Sequence, residues 1–353
     1  MVFELTALPQ LLTQRFDSII DVRAPAEYAE DHVPGAISLP VLDDAERAEV
    51  GTLYTRVDRF EARKRGAALV ARNAAGHIET ALMDKPGGWR PLVYCWRGGQ
   101  RSGSFASILT QIGWRVEVLE GGYRSYRRQV VAAVHDQPIA PQVVVLDGNT
   151  GTAKTAFLEL LSARGHQVLD LEAAAAHRGS VFGSRPGGQP SQKAFEGRLA
   201  MDLARMDPRR PVLVEAESSK IGEVQIPPSL WAAMRAAPRI RLSVPIEARA
   251  AYLVEAYGDI VDTPEVLCET LEALRPHQGA ARIEAWQTLA TEGAFRQLAA
   301  ELMLAHYDPR YAKSRGRHSA PATVDLDVGS LDAGGLALGA DQIEAALRQV
   351  SLA

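Results

Sequence analysis

Apolar runs of four to six residues alternate along the chain with stretches of helical periodicity. This alternation is what strands and crossover helices of parallel α/β sheets require. The pattern predicts strands over residues 18–22, 92–95, 116–119, 143–146, 167–169, 212–214 and 240–244. Apolar positions three and four apart predict helices over residues 102–112, 123–134, 154–163, 246–257, 265–274 and 283–289. Pro138 and Pro141 stiffen the segment after the helix predicted over 123–134. We therefore place a first α/β domain at residues 1–136, a linker at 137–141 and a second α/β domain, ending in a helical region, at 142–353. The glycine- and proline-rich segment from Gly183 to Pro190 reads as a mobile loop, and Asp341 reads as the cap of a terminal helix. No internal repeat is present.

Composition narrows the class. The 353 residues are 46% hydrophobic, 23% charged and 6% aromatic, which removes disordered, collagen-like and coiled-coil readings. No apolar run is long enough to span a bilayer, and Met1 to Glu4 do not open a signal peptide, so a soluble, cytoplasmic protein is expected. The two cysteines, Cys95 and Cys268, form neither a disulfide framework nor a metal-ligand spacing. No metal site is expected from them, and cysteine chemistry would be that of a single thiol. Cys268, inside a helical pattern, reads as structural. A net charge of −4 argues against a general nucleic-acid coat while leaving room for a local basic patch.

Cys95 closes an apolar strand and is followed by Trp96, Arg97, Gly98, Gly99, Gln100, Arg101 and Ser102, which lead into a helix. A strand, tight loop and helix N-terminus turn backbone N–H groups inward around the sulfur, forming an anion site that favours the thiolate. Arg97 and Arg101 add to that field. Upstream, Asp21 and Arg23 are candidate supports, as is His32, and Trp96 is either a loop anchor or a base-stacking surface. These residues, with Gly121-Gly122-Tyr123, resemble the rhodanese homology domain, whose loop cysteine carries a chalcogen adduct. The Cys-x5-Arg spacing from Cys95 to Arg101 is longer than a sulfurtransferase loop usually is and matches cysteine-dependent phosphatases. It suits a donor carrying a tetrahedral oxyanion.

A second loop follows the strand at 143–146. Gly148, Asn149, Thr150, Gly151, Thr152, Ala153, Lys154 and Thr155 nearly fit the phosphate-loop pattern, in which amides and lysine cradle a diphosphate and the hydroxyl can ligate magnesium. Ala153 stands where the pattern has glycine; its methyl is compatible with the loop if φ is negative. Glu215 and Glu217 end a later apolar strand on one face, next to Ser218. One of them is a candidate base or cation ligand, with a structural role as the alternative; His177 is a further acid/base candidate.

Arg178, Gln192 and Lys193 lie in polar strings that, with the two loops in this order and with Glu215 to Gly222 and Tyr307-Asp308-Pro309, resemble the tRNA 2-selenouridine synthase family. The resemblance implies an N-terminal rhodanese-like domain followed by a P-loop NTPase-like domain. It implies conversion of wobble 2-thiouridine in tRNA to 2-selenouridine through an S-geranyl intermediate, with geranyl diphosphate and selenophosphate as substrates. Cys95 would carry selenium as S-selanylcysteine, residues 96–102 would hold selenophosphate, and residues 148–155 the diphosphate. No tightly bound cofactor is implied, and magnesium stays open. Arg124, Arg127, Arg128, Lys313, Arg315 and Arg317 are candidate tRNA contacts. Two other readings stand beside this one: a rhodanese-type sulfurtransferase or cysteine phosphatase fused to an NTPase, and a non-catalytic phosphate- or RNA-binding module.

Overall fold

The structure, a computed structural model, describes residues 1–13, 16–261, 263–315 and 322–350. It divides into two units, Met1–Gln137 with Pro190–Arg205, and Pro138–Gln189 with Met206–Ala353.

The first unit is built on a five-stranded parallel sheet of β1 (Val2–Phe3), β2 (Ser18–Asp21), β3 (Ile37–Ser38), β4 (Pro91–Tyr94) and β5 (Glu117–Leu119), in the order β1-β5-β4-β2-β3. β4 is central and fully buried, as a continuous apolar run in a parallel sheet should be. Helix Gln100–Ile112 puts Phe105, Ala106 and Leu109 into one core layer with Ile20, Val93 and Trp114. Helix Tyr123–Val131 covers the other face with Tyr126 and Val130. The helical pattern expected to reach residue 134 continues to Asp136, loosening into a π-helical turn over Ala132–Asp136. Two helices, Asp44–Arg56 and Arg59–Thr80, form a hairpin between β3 and β4.

Helix Gln192–Arg205, which the sequence boundary assigns to the second domain, packs in the first unit. Chemistry explains the placement: Glu196, almost fully buried, pairs with Arg127, and His135 Nε2 lies 3.1 Å from its carboxylate. Gly197 passes so close to the Tyr126 hydroxyl that a Cβ would sit 2.6 Å from it.

The second unit carries another parallel sheet, of β6 (Val143–Gly148), β7 (Gln167–Leu169), β8 (Val212–Glu215), β11 (Arg239–Ser243) and β12 (Thr323–Asp327), ordered β12-β11-β6-β8-β7. A short antiparallel pair, β9 (Lys220–Ile221) and β10 (Val224–Gln225), follows β8. The phosphate loop leaves the carboxyl end of central β6, where open α/β sheets bind ligands. Helices Pro264–Glu272, Ala280–Thr291 and Phe295–Leu302 enclose a separate core around fully buried Trp286, with Cys268 packed at its edge. The segment after Gly183 is a loop, held by a bridge between His177 and Ser184 and by Gln189, which donates to the carbonyls of Ala175 and Ile221. Asp341 does not cap the terminal helix. That helix spans Ala333–Val350, Asp332 accepts from the Gly335 amide at its start, and mid-helix Asp341 pairs with Arg164 at 2.7 Å. Gly334, Gly335 and Gly339 hide its first turns from the periodicity, and Gly339 is needed because a side chain there would meet Phe157. Among the described residues, no helix is long and apolar enough to cross a membrane.

Candidate active sites

Cys95 lies at the C-terminal end of β4 with 3% of its surface exposed. The Ser102 hydroxyl donates to Sγ at 3.2 Å, and the amides of Arg97 and Ser102 also donate to the sulfur. Burial would raise the thiol's pKa, but these three donors and the Arg101 charge outweigh it and hold the thiol below its ordinary value. Arg101 is tethered at 3.0 Å to Glu27, whereas Arg97, Gly99 and Gln100 face solvent. Gly122, at φ 59°, closes the loop from behind: a Cβ there would lie 2.2 Å from the Cys95 carbonyl and 2.5 Å from the Gly98 amide nitrogen.

The upstream residues brace this loop. Arg23 and Asp21, both buried, form a forked ion pair with a shortest contact of 2.6 Å, and the guanidinium lies 4.1 Å from the centre of the Tyr123 ring. Trp96 stacks on Tyr123 at 5.2 Å and so anchors the loop. His32 stacks on Tyr28 and bonds its carbonyl at 2.8 Å.

In the second unit, the loop from Gly148 to Thr155 opens helix Lys154–Ala163. Lys154 Nζ donates to the Gly148 carbonyl at 3.1 Å, and the Thr155 hydroxyl donates to Glu172 at 3.2 Å. Burial lowers the Lys154 pKa, but interactions with Tyr311, Glu217, Glu172 and Asp147 outweigh it and raise it above its ordinary value, so the ammonium is retained. Arg249 holds the loop by donating to the Thr150 carbonyl and pairing with Asp308 at 2.7 Å, while Asn149 donates to the same carboxylate. Ala153 departs from expectation: its φ is +57°, in the left-handed region, not negative. Its methyl is buried in the core with Phe157 and Leu146, so packing offsets a strain of roughly 1–2 kcal/mol.

The loop faces a cleft of about 830 Å³ of empty space, open solvent included, lined also by Glu172, Arg178, Arg185, Glu217, Tyr257 and Tyr311. Here the carboxylates separate. Glu215 is buried, accepts from the Glu172 amide at 2.9 Å, and has its pKa pushed well above the ordinary carboxylate range by burial and by the charges of Asp170 and Glu172. Glu217 lines the cleft, and burial plus repulsion from Glu172 raise its pKa to about 7. Its carboxylate occupies the space a side chain at Gly179 would take, 2.8 Å from that Cβ position. The adjacent Ser218 is exposed and donates its hydroxyl to the Lys220 carbonyl. His177 accepts from the Gly179 amide through Nδ1, and burial with the nearby Arg185 charge keeps it neutral, which suits a brace.

A second cavity, of about 570 Å³, adjoins the cleft and shares Thr150, Ser180, Leu253 and Tyr257 with it. Beyond those four its lining is almost wholly apolar, including Phe182, Ile260, Leu267, Phe295, Leu298 and Leu302. The sequence reading missed this cavity, together with Glu172, Arg185, Arg249 and Tyr311. Its walls come from helices whose apolar residues read individually as ordinary core.

The cationic candidates divide. Arg124 and Arg128 are exposed, and Arg128 donates to the Ser125 hydroxyl. Arg127 is tied to Glu196 and the Lys193 carbonyl, Lys193 pairs with Glu30 at 2.5 Å, and Gln192 donates to Glu196. Gln192 and Lys193 thus sit on the helix that packs in the first unit. The Arg178 guanidinium lies 4.8 Å from the centre of the Tyr257 ring. Lys313 is exposed; Arg317 and the side chain of Arg315 lie outside the described residues.

Comparison with known proteins finds two domains in the same order. Residues 5–129 match the rhodanese-like domain, and residues 141–272 match the family described as the tRNA 2-selenouridine synthase AAA domain. A tRNA 2-selenouridine synthase of Chromohalobacter salexigens is 34% identical over 327 residues, 83% of this chain and 86% of that protein. Those of Nitrosomonas europaea and Psychromonas ingrahamii are 35% and 34% identical over 70% and 68% of this chain, and the match spans 64% of each relative's length. With both domains matched in order and one relative aligned over most of its length, the chain belongs to the tRNA 2-selenouridine synthase family.

Proposed function

We propose that this protein converts wobble 2-thiouridine of tRNA to 2-selenouridine in two steps, each with its own anionic donor. Geranyl diphosphate binds the second unit, its diphosphate on the amides of residues 148–155 with Lys154, Arg178 and Arg185. The C10 chain enters the adjoining apolar cavity. Sulfur of the thiouridine attacks C1 of the geranyl group, the C1–O bond breaks, and diphosphate leaves into a site pre-set with positive charge. The base loses its N3 proton as sulfur is alkylated, and Glu217 on the cleft wall is the acceptor. Thr155 and Glu172 are the groups that a magnesium ion accompanying the diphosphate would meet.

In the first unit, the residues 96–102 hold the tetrahedral oxyanion of selenophosphate. Selenium of the bound selenophosphate attacks C2 of the S-geranylated base, the C2–S bond breaks, and the geranyl thiolate leaves and takes a proton. Cys95, kept partly as thiolate, then attacks phosphorus, the P–Se bond breaks to free selenouridine, and water hydrolyses the S-phosphocysteine to phosphate, so selenium stays at the selenide level throughout.

The observation that carries this reading is the continuity of the apolar cavity with the phosphate cleft. A prenyl chain gains about 0.8 kcal/mol for each methylene-sized group it buries there. A nucleoside would find almost no polar partner for its base, which disfavours the alternative of an NTPase fused to a sulfurtransferase or phosphatase. The test is mass spectrometry of nucleosides from 2-thiouridine tRNA incubated with the protein and both donors, each omitted in turn. S-geranyl-2-thiouridine with the prenyl donor alone, and selenouridine once selenophosphate is added, are expected. Unchanged tRNA beside an active control enzyme would reject the proposal.

A further inference from the structure

The hairpin of helices Asp44–Arg56 and Arg59–Thr80 is an unusual use of chain. The first helix, 13 residues long, has no fully buried side chain; Val50, half-buried, packs against the core, and Leu53 is half-buried. A helix with so narrow an apolar face adds little to a core and calls for support along its length. Support is present: a capping box joins Asp43 and Glu46, and Arg65 pairs with Glu49 across the hairpin at 2.6 Å. At the elbow, however, apolar surface is left in water: Tyr54 is 45%, Val57 69% and Phe60 65% exposed.

Charge at the elbow is one-sided. Arg56, Arg59 and Arg63 are exposed and carry no ion pair among the described residues. The nearby carboxylates are occupied: Asp58 caps the second helix by accepting from the amides of Phe60 and Glu61 at 2.8 Å, and Glu61 pairs with Lys64. Arg59 lies 5.3 Å from the centre of the Tyr54 ring, so guanidinium and aromatic face are presented together.

The root of the hairpin lies at the thiol loop. Glu27 pairs at 3.0 Å with Arg101 of that loop and at 3.0 Å with Arg47 of the first helix, and Asp44 accepts from the Ala26 amide. Thirteen residues of helix carry the elbow about 20 Å from this root.

We propose that the elbow is a tRNA-docking arm. Arg56, Arg59 and Arg63 take backbone phosphates of the helical stem whose loop base is delivered to Cys95, and Tyr54 and Phe60 pack on ribose or unstacked bases. This rests on the proposed function, from which it takes the identity of the RNA. It adds a surface in the first unit that the residues flagged from sequence do not include.

The test is binding of 2-thiouridine tRNA to the full chain, by fluorescence anisotropy, over a series of salt concentrations. Relative to wild type, R56E/R59E/R63E is expected to raise Kd at least tenfold and to reduce the magnitude of the log–log salt slope by about 2–3, since each phosphate contact contributes nearly one unit. R56K/R59K/R63K, which keeps the charge, is expected to stay within about threefold. The alkylation rate of Cys95, equal in all three proteins, shows that the unit is folded. Equal affinity and slope for the Glu variant, with wild type still binding tRNA, would overturn the docking arm and leave the proposed function standing. Wild type that binds no tRNA would overturn both. A variant that loses self-association and keeps tRNA affinity would show the elbow to be an interface between copies, which also overturns the proposal.

Discussion

The Ser102 hydroxyl points at the Cys95 sulfur from 3.2 Å, seven residues on and in the first turn of the helix that follows the loop. This contact couples the helix N-terminus to the nucleophile. It makes the electrostatics of the thiol loop depend on a side chain as well as on backbone amides.

Removing it should therefore weaken the thiolate without disturbing the fold. A hydrogen bond to a charged group is worth roughly 1.5–3 kcal/mol, so Ser102→Ala should raise the Cys95 pKa by about one to two units. The pH dependence of iodoacetamide alkylation reads this directly. An unchanged profile would mean that the amides and Arg101 alone set the thiolate.

Glu217 should give the geranylation step its pH dependence. With its pKa raised to about 7, the carboxyl is protonated and inactive as a base below that pH, and the rate should climb through neutrality. Glu217→Gln should flatten the profile and lower the rate above pH 7 by about 10²-fold or more. Stability has the opposite sign. A carboxyl whose pKa is raised by folding stabilises the native state at low pH and loses that contribution as pH rises from its ordinary value through about 7. Urea titrations should show Glu217→Gln gaining on wild type over that window.

Ala153 should tolerate change in one direction only. Glycine would relieve the left-handed strain at φ +57°, but it gives up a buried methyl and adds chain entropy to the unfolded state. These opposed effects are similar in size, so Ala153→Gly should lie within about 1 kcal/mol of wild type. Ala153→Val, β-branched at positive φ, should destabilise by more than about 2 kcal/mol. Denaturant midpoints distinguish the two.

The apolar cavity should set donor recognition separately from the diphosphate. Leu298→Trp, filling it, should raise KM for geranyl diphosphate at least tenfold while inhibition by inorganic diphosphate stays within about twofold. Parallel losses for both ligands would place the prenyl chain elsewhere.

Much of this arrangement was legible in the sequence where chemistry is local. The strands before Cys95 and Gly148, and the helix from Lys154, are apolar runs broken by glycine, and helix Lys154–Ala163 lies where periodicity puts it. Strands β1, β3, β9 and β10 are only two residues long and too short to carry a pattern, and β12 alternates apolar with acidic residues under a helix-rich context. Helix Gln192–Arg205 shows the limit of reading domains by order along the chain. Its place follows from Glu196 meeting Arg127 and His135, contacts more than sixty residues apart in sequence. The sign of φ at Ala153 and the different fates of Glu215 and Glu217 are likewise tertiary facts. The expectation of two carboxylates on one strand face fails because β8 ends at Glu215, which is buried in the core, while Glu217 lies beyond the strand and lines the cleft.

The most direct measurement of the central claim, two donors on two loops, separates the steps with variants. Nucleosides from 2-thiouridine tRNA and from S-geranyl-2-thiouridine tRNA would be quantified by mass spectrometry after incubation with Cys95→Ser or Lys154→Ala. The account predicts that Cys95→Ser geranylates the first tRNA and selenates neither, whereas Lys154→Ala fails to geranylate the first but converts the pre-geranylated tRNA to selenouridine. Loss of geranylation in folded Cys95→Ser, or failure of folded Lys154→Ala to selenate the pre-geranylated tRNA, would contradict the division of labour.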